Sequence, residues 1–294
     1  NTVIGLINSE STGEMFQKPG HIFPIRYREG GVLVRAGHTE ASVDLAKLAG
    51  LKGAAVMCEI VKVDGTMARR SDLEDFAKES DIKIVTIEDL ISYRYNNENI
   101  ITKTSSANLP TKYGNFIAVG YKSKYDDDEH IALIKGDITN SPTLVRVHSE
   151  CVTGDFLGSL RCDCGDQAAN ALESIGAEES GVFLYMKQEG RGIGLHNKIR
   201  AYDLQDKGAD TVEAYELLGF PADIRHYGVG AQILADIGLK EIKLMTNNPK
   251  KVVGLDSYGI KIVETIPISV EPNIINEAYL KTKKDKLGHK IENV

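Results

Sequence analysis

Val182-Phe-Leu-Tyr-Met186 is a short apolar run that passes through Gln188-Glu-Gly-Arg-Gly-Ile-Gly194 into a helical stretch from about 195 to 207. An apolar run of this length, bounded by turn residues, reads as a buried strand. Strand, glycine-rich loop and helix in that order are the building unit of an α/β sheet. Glycine lets a ligand approach the backbone amides, and the start of the following helix favours an anion. The loop Glu189-Gly190-Arg191 is neither a Walker pattern nor a dinucleotide fingerprint, and many such loops are turns only. Arg191 adds a bidentate grip for phosphate or carboxylate.

The pattern continues in both directions. Residues 242–245 read as a strand, Thr246-Asn-Asn-Pro249 opens a helix with Asn248 as cap, and 260–263 closes a β-α-β segment. Lys250 and Lys251 at that helix start suit a phosphate, and equally a solvated first turn. Upstream, 116–121, 131–135 and 144–147 read as strands and 165–175 as a helix. In the front part, a helix over 39–49 stops at Gly50, and 54–61 and 82–87 read as strands. Ser71-Asp-Leu-Glu74 has capping-box spacing for a helix through Lys78, and another helix lies near 88–95. The polar, aperiodic stretch 96–110 marks a boundary. The expected architecture is α/β and α+β in two domains: 1–98, a linker over 99–108, and a mixed-sheet domain over 109–294. The chain shows no internal repeat.

The 294 residues carry a net charge of −7, with 42% hydrophobic and 26% charged residues. That balance fits an ordinary globular protein and argues against a general nucleic-acid surface. No apolar run is long enough to cross a bilayer, so neither a membrane nor a nucleic acid is expected as partner, and a cytoplasmic location is expected. A small anionic substrate held by a local cationic cluster fits. Asp126-Asp-Asp-Glu129 reads as a solvated loop, and the start at Asn1 suggests a fragment or processed form.

Three of the four cysteines lie within Arg146-Val-His-Ser-Glu-Cys151 and Leu160-Arg-Cys162-Asp-Cys164-Gly165. Buried structural cysteines or a disulfide are the alternatives to a metal site. Cys-x-Cys is awkward for an internal disulfide and natural for Zn²⁺, whose soft thiolate ligands number three in a catalytic site that keeps one position open. His148-Ser-Glu150 echoes the His-x-Glu of zinc nucleobase deaminases, but the Pro-Cys-x-x-Cys partner of that motif is absent. Asp223-Ile-Arg225 places an acid and a base on the same side of an extended segment, where a surface ion pair is the default.

Taken together, Arg146–Cys151, Leu160–Gly165, Gln-Glu-Gly-Arg-x-Ile-Gly-Leu, Asn-Lys-Ile-Arg-Ala-Tyr and Thr-Asn-Asn-Pro-Lys-Lys closely resemble GTP cyclohydrolase II, over residues 109–289. The resemblance implies zinc at Cys151, Cys162 and Cys164. It implies GTP binding by Arg146, Val147, His148, Ser149, Glu150, Gln167, Glu189, Gly190, Arg191, Thr211, Thr246 and Lys251. Asp223 would be the general base, Arg225 the nucleophile towards the α-phosphate, and Tyr202 a residue near the reaction centre. Because guanidinium stays protonated at ordinary pH, an electrostatic role for Arg225 is equally open. Zinc would bring the pKa of bound water towards ~7, hydroxide would attack C8 of guanine, and formate and pyrophosphate would leave, with Mg²⁺ on the triphosphate. The expected product is 2,5-diamino-6-ribosylamino-4(3H)-pyrimidinone 5′-phosphate, in riboflavin biosynthesis, and a homodimer is implied.

The front part resembles the C-terminal portion of 3,4-dihydroxy-2-butanone-4-phosphate synthase. Pro19–Pro24, Arg35-Ala-Gly-His38-Thr39-Glu40, Cys58-Glu59 and Asp64–Ala68 carry that resemblance. It implies a ribulose 5-phosphate and Mg²⁺ site at Arg35, Ala36, Gly37, His38, Thr39 and Glu59. The acidic segment that the family carries nearer its N-terminus is not seen, so this domain is expected to be truncated and inactive. A bifunctional enzyme and a non-catalytic nucleotide sensor are the rival readings.

Overall fold

In a computed structural model of the chain, the described residues are 1–125, 127–139, 142–223, 225, 228–248, 255 and 258–291. They form two compact units, Asn1–Glu98 and Asn99–Val294.

The front unit contains α1 (Thr2–Leu6), α2 (His38–Leu48), α3 (Arg70–Ser80) and α4 (Ile87–Asn97), with single 3₁₀ turns at Gly13–Met15 and Gly31–Leu33. Thr86 caps α4, its hydroxyl oxygen accepting from the Asp89 amide at 3.0 Å. The polar hub of the unit is Arg94, which donates to Asp44 at 2.8 Å, to the Gly30 carbonyl at 2.7 Å and to Glu98 at 2.6 and 2.7 Å. Asp44 also accepts from the Val32 amide at 2.8 Å. A Cβ on Gly31, at φ +63°, would stand 2.1 Å from that carboxylate, so only glycine fits.

Two expectations for this unit are corrected. Residues 54–61 and 82–86 are not strands; the one bridge there joins Val61 to Met67, and Val56, Val61, Ile82 and Val85 are exposed. β-branched runs have strand propensity, but a strand exists only with a ladder partner, and the described residues of this unit supply none. Helix α3 starts at Arg70 rather than after Ser71, because the Asp72 carboxylate accepts from the Arg69 amide at 2.7 Å and closes the helix two residues earlier.

The second unit is built on one mixed sheet. Its strands are β1 (Ile101–Thr111), β2 (Gly114–Ser123), β3 (Glu129–Lys135), β4 (Thr143–Ser149), β5 (Gly181–Met186), β6 (Glu241–Met245) and β7 (Lys261–Ile266). The order is β1-β2-β3-β5-β4-β6-β7. The β1–β2, β2–β3 and β3–β5 pairs are antiparallel; β5–β4, β4–β6 and β6–β7 are parallel. The expected linker at 99–108 is therefore mostly strand β1. As an edge strand exposed along nearly its whole length, β1 needs no apolar alternation, which is why its polar sequence reads as a loop.

The connections are α5 (Cys164–Ala177), α6 (Gly194–Asp206), α7 (Thr211–Leu217) and α8 (Gly228–Asp236), followed after the sheet by α9 (Glu277–Asp285). Strands β4 and β5 are buried on both faces, with Val145, Val182 and Leu184 fully enclosed. On one face, Ala171 and Ile175 of α5 pack with Leu144, Phe183 and Met245. On the other, a Cβ on Gly230 of α8 would stand 3.7 Å from Val147, Leu184 and Met186. The chain adds β5 on one side of β4 and then β6 on the other. Crevices at the carboxyl ends of parallel strands, where strand order reverses, are where α/β sheets bind ligands.

Candidate active site and metal centre

The carboxyl ends of β4, β5 and β6 converge on a cavity of about 970 Å³, its open mouth included. Strand β4 delivers Arg146 and His148 from one face and Ser149 from its last position, with Glu150 and Cys151 just beyond its end. Strand β5 delivers Gln188, Glu189, Gly190 and Arg191, and β6 delivers Thr246. Gln167, Tyr202 and Thr211 line it from α5, α6 and α7, and Arg225 from the segment before α8.

The three cysteines converge from two segments. After Cys151 the chain makes a π-helical turn at Val152–Phe156, and Cys162 and Cys164 lead into α5. The sulfurs all lie within 4.8 Å of one another, with Cys151 and Cys162 at 3.7 Å. Two thiolates about 2.3 Å from one tetrahedral zinc stand about 3.8 Å apart, so the spacing fits such an ion and is far too long for a disulfide. Gly154 keeps the space beside the cluster open. A Cβ there would stand 2.8 Å from Cys162 Sγ, 3.1 Å from Cys164 Cβ and 3.2 Å from Cys151 Sγ. Gly154→Ala is therefore expected to splay the sulfurs and leave the purified chain with little bound metal, measured as metal per chain. Full occupancy in the variant would show that the glycine is not required.

Charge around the sulfurs is organised by Lys198. Its ammonium donates to Cys151 Sγ at 2.9 Å and to Glu189 at 2.8 Å. Hydrogen bonds from Cys162 and Cys164, and then the Lys198 charge, outweigh burial and hold Cys151 as a thiolate far below the ordinary thiol range. The bond to Cys151 pushes Cys162 up to about 11, and the same neighbours, with burial, raise Cys164 well above its ordinary value. A metal held by these sulfurs would expel protons on binding and would be held less well as pH falls. Asp155, in the π turn, fixes the approach to the cluster. Its carboxylate accepts from the Cys151 amide at 2.9 Å and the Tyr185 hydroxyl at 2.9 Å, and lies 3.0 Å from His148 Nε2.

The glycine-rich loop is held in a left-handed conformation at Gly190 (φ 59°) and Arg191 (φ 57°). A non-glycine residue there is a strained position of the kind found at ligand sites. Glu189 pins the loop to the cysteine segment by accepting from the Val152 amide at 2.6 Å. Arg191 lies 5.5 Å from the Tyr215 ring and donates to the Ala222 carbonyl at 3.3 Å. Arg146 is buried, donates to the Met245 carbonyl at 2.8 Å and to Gln167 at 2.7 Å, and its Nε has no partner among the described residues. Burial pushes its guanidinium down to about 10. Arg225 forms a two-point pair with Asp223 at 2.9 and 2.6 Å and reaches Ser149 Oγ at 3.3 Å.

Of the residues singled out in the second unit, all but three line one cavity. The Val147 side chain lies on the opposite face of β4, towards Gly230. Asp223 stands behind Arg225 rather than on the cavity wall. Lys251, with Lys250 and Pro249, lies outside the described residues. In the front unit, His38 opens α2 and Glu59 sits on an extended stretch, both exposed. Arg35 is engaged by Glu40 at 3.4 Å, and Gly37 caps α2. Among the described residues the cysteine triad is the one cluster of three metal-type ligands, so His38 and Glu59 belong to none. Sequence reading missed Asp155, Lys198, Tyr279 and Lys283 as site residues. Lys198 stands inside a quoted motif and was within reach; the others have no local signature.

Fold and site together describe an α/β enzyme domain in which three sulfurs able to hold a metal face a crevice lined by arginine and lysine side chains. Residues 102–267, more than half of the chain, match the family model of GTP cyclohydrolase II, and residues 1–93 match that of 3,4-dihydroxy-2-butanone 4-phosphate synthase. The chain belongs to the GTP cyclohydrolase II family, with a synthase-type segment in front, and is an enzyme of that class. It is 58% identical to riboflavin biosynthesis protein RibBA of Bacillus cytotoxicus over 289 residues, covering 98% of this chain and 73% of that protein. Identity and coverage are the same for RibBA of Bacillus cereus. The crystal structure of RibBX, a two-domain 3,4-dihydroxy-2-butanone 4-phosphate synthase from A. baumannii, superposes with a TM-score of 0.63 at 33% identity, covering 91% of this chain and 69% of that one. No helix among the described residues is long and apolar enough to cross a membrane.

Proposed function

We propose that this chain hydrolyses GTP to 2,5-diamino-6-ribosylamino-4(3H)-pyrimidinone 5′-phosphate, formate and pyrophosphate. The observation that carries this reading is the three-sulfur cluster, with Cys151 and Cys162 buried and Cys164 partly so, on the wall of a cavity lined by Arg146, Arg191, Lys198, Arg225 and Lys283. Cys151, Cys162 and Cys164 would hold Zn²⁺, which when bound supplies Lewis-acid activation of water at neutral pH. The reaction needs two hydrolytic cleavages at C8, which free that carbon as formate, and one at the α-phosphate.

The protein groups divide the rest of the work. Arg146, its Nε still lacking an acceptor, and Arg191 on its strained loop offer fixed positive charge to a triphosphate, which brings Mg²⁺ with it. Tyr202, whose hydroxyl lies 3.3 Å from Thr153 Oγ1, stands between the cysteine turn and the cavity and can hold a proton at that oxygen. Although burial alone would raise the Asp223 carboxyl, its hydrogen bonds to Arg225 and that residue's charge hold it below the usual carboxylate range. A carboxylate so engaged is a weak base. The geometry therefore supports Asp223 as the group that orients Arg225, and Arg225 as a fixed charge on the α-phosphate. The test is release of formate and pyrophosphate from GTP by the purified chain. Tight GTP binding with no formate would favour a nucleotide sensor instead.

For the front unit we infer no synthase turnover by this chain alone; the exposure of His38 and Glu59 supports that reading. Incubation with ribulose 5-phosphate and Mg²⁺ is expected to yield no 3,4-dihydroxy-2-butanone 4-phosphate above background. Clear turnover would restore the bifunctional reading. A homodimer in the cytoplasm fits this enzyme, and light scattering measures the first of these.

A further inference from the structure

The segment after residue 267 lies beyond the stretch matched by the GTP cyclohydrolase II model, yet it laces the site together. On α9, Lys283 is buried and donates to both carboxylate oxygens of Asp163, at 2.8 and 3.0 Å. Asp163 is the residue between the two ligating cysteines of Cys162-Asp-Cys164. The same carboxylate accepts from Gln167 at 2.6 Å, and Gln167 accepts from Arg146 at 2.7 Å. Three residues on, the same helix sends Lys286 to Asp210 and, at 3.0 Å, to Glu213, the two acids that cap α7 beside Thr211. Beyond the helix, the Lys290 amide donates to the Asn247 carbonyl at 2.9 Å, next to Thr246. One short helix and its tail therefore touch the cysteine loop, the start of α7 and the end of β6.

We propose that α9 is a clamp, and that Lys283 is a positioning residue which holds the cysteine loop in its metal-binding shape. This deepens the metal reading of the same site and rests on it for its role in catalysis. An unpaired Asp163 would be a buried negative charge beside three sulfurs, and the loop would open to relieve it. Helix position and metal geometry are thereby coupled.

The test compares the unaltered chain with Lys283→Met, Lys283→Arg and Lys286→Ala. The first readout is the rate at which a thiol reagent modifies the buried cysteines of the metal-free protein, after the fast phase from exposed Cys58. The second is zinc transfer to a competing chelator. Lys283→Met is expected to speed the slow labelling phase roughly tenfold or more and to weaken zinc retention by roughly 10–100-fold, as for other residues that orient ligands. Lys283→Arg is expected to stay close to the unaltered chain in both. Equal labelling rates for Lys283→Met and the unaltered chain would overturn the clamp, as would an arginine variant as leaky as the methionine one. If Lys283→Met does not fold, exposed Lys286 decides: faster labelling in Lys286→Ala supports the clamp, and an unchanged rate overturns it. An unaltered chain that takes up no zinc would instead sink the metal reading, while the labelling rates still judge the clamp.

Discussion

Cys162→Ser is expected to lower formate release from GTP by about 10³-fold or more, with the fold intact. Metal-assisted activation is worth several kcal/mol, and about 4 kcal/mol corresponds to 10³ in rate. Serine offers a harder, hardly ionised oxygen where a soft thiolate is needed. Cys162 is buried, with its sulfur 3.7 Å from Cys151 Sγ. The measurement is formate production at saturating GTP, with metal content and far-UV dichroism on the same sample. A serine variant that turns over like the unaltered chain would remove the cysteines from the mechanism.

Arg225→Ala is expected to cost about 10²–10³ in turnover, the usual loss when one preorganised donor is taken from a site of developing charge. The substitution also takes from Asp223, which is largely buried, its two-point partner. Part of the activity is expected to return in Arg225→Lys, which restores the charge but not the two-point geometry. If Arg225 is a fixed charge, intact-mass spectrometry of the quenched reaction shows no covalent nucleotide on the chain. A mass increase matching a guanylyl group that disappears in Arg225→Ala would establish it as the nucleophile. The pair itself is robust to acid. Because the folded Asp223 carboxyl lies below its unfolded value, its stabilisation is complete above the unfolded pKa, about 3.9, and is lost only as pH falls through the lower folded one.

What was legible in the sequence and what was not follows from where the physical signal sits. The strand, loop and helix around Glu189-Gly-Arg191 were readable because each residue type acts locally: apolar residues bury, glycine turns, and the helix begins. The cysteine triad was readable because its two halves lie eleven residues apart and few other chemistries want Cys-x-Cys. Strand β1 was not, since an exposed edge strand carries no apolar rhythm. Residues 54–61 failed the other way, showing the propensity without a partner to pair with. The Lys283–Asp163 pair spans 120 residues, and nothing near either residue announces it. Val147 was drawn into the site by its motif, although alternation along β4 turns its side chain the other way.

The most direct test of the central claim is anomalous scattering at the zinc edge from crystals of the purified chain, with metal content measured on the same batch. The account predicts one zinc per chain, about 2.3 Å from each of the sulfurs of Cys151, Cys162 and Cys164, with no fourth protein ligand and its open side towards the cavity. A cluster without metal, a disulfide between two of these sulfurs, or a fourth side chain closing the coordination would contradict it.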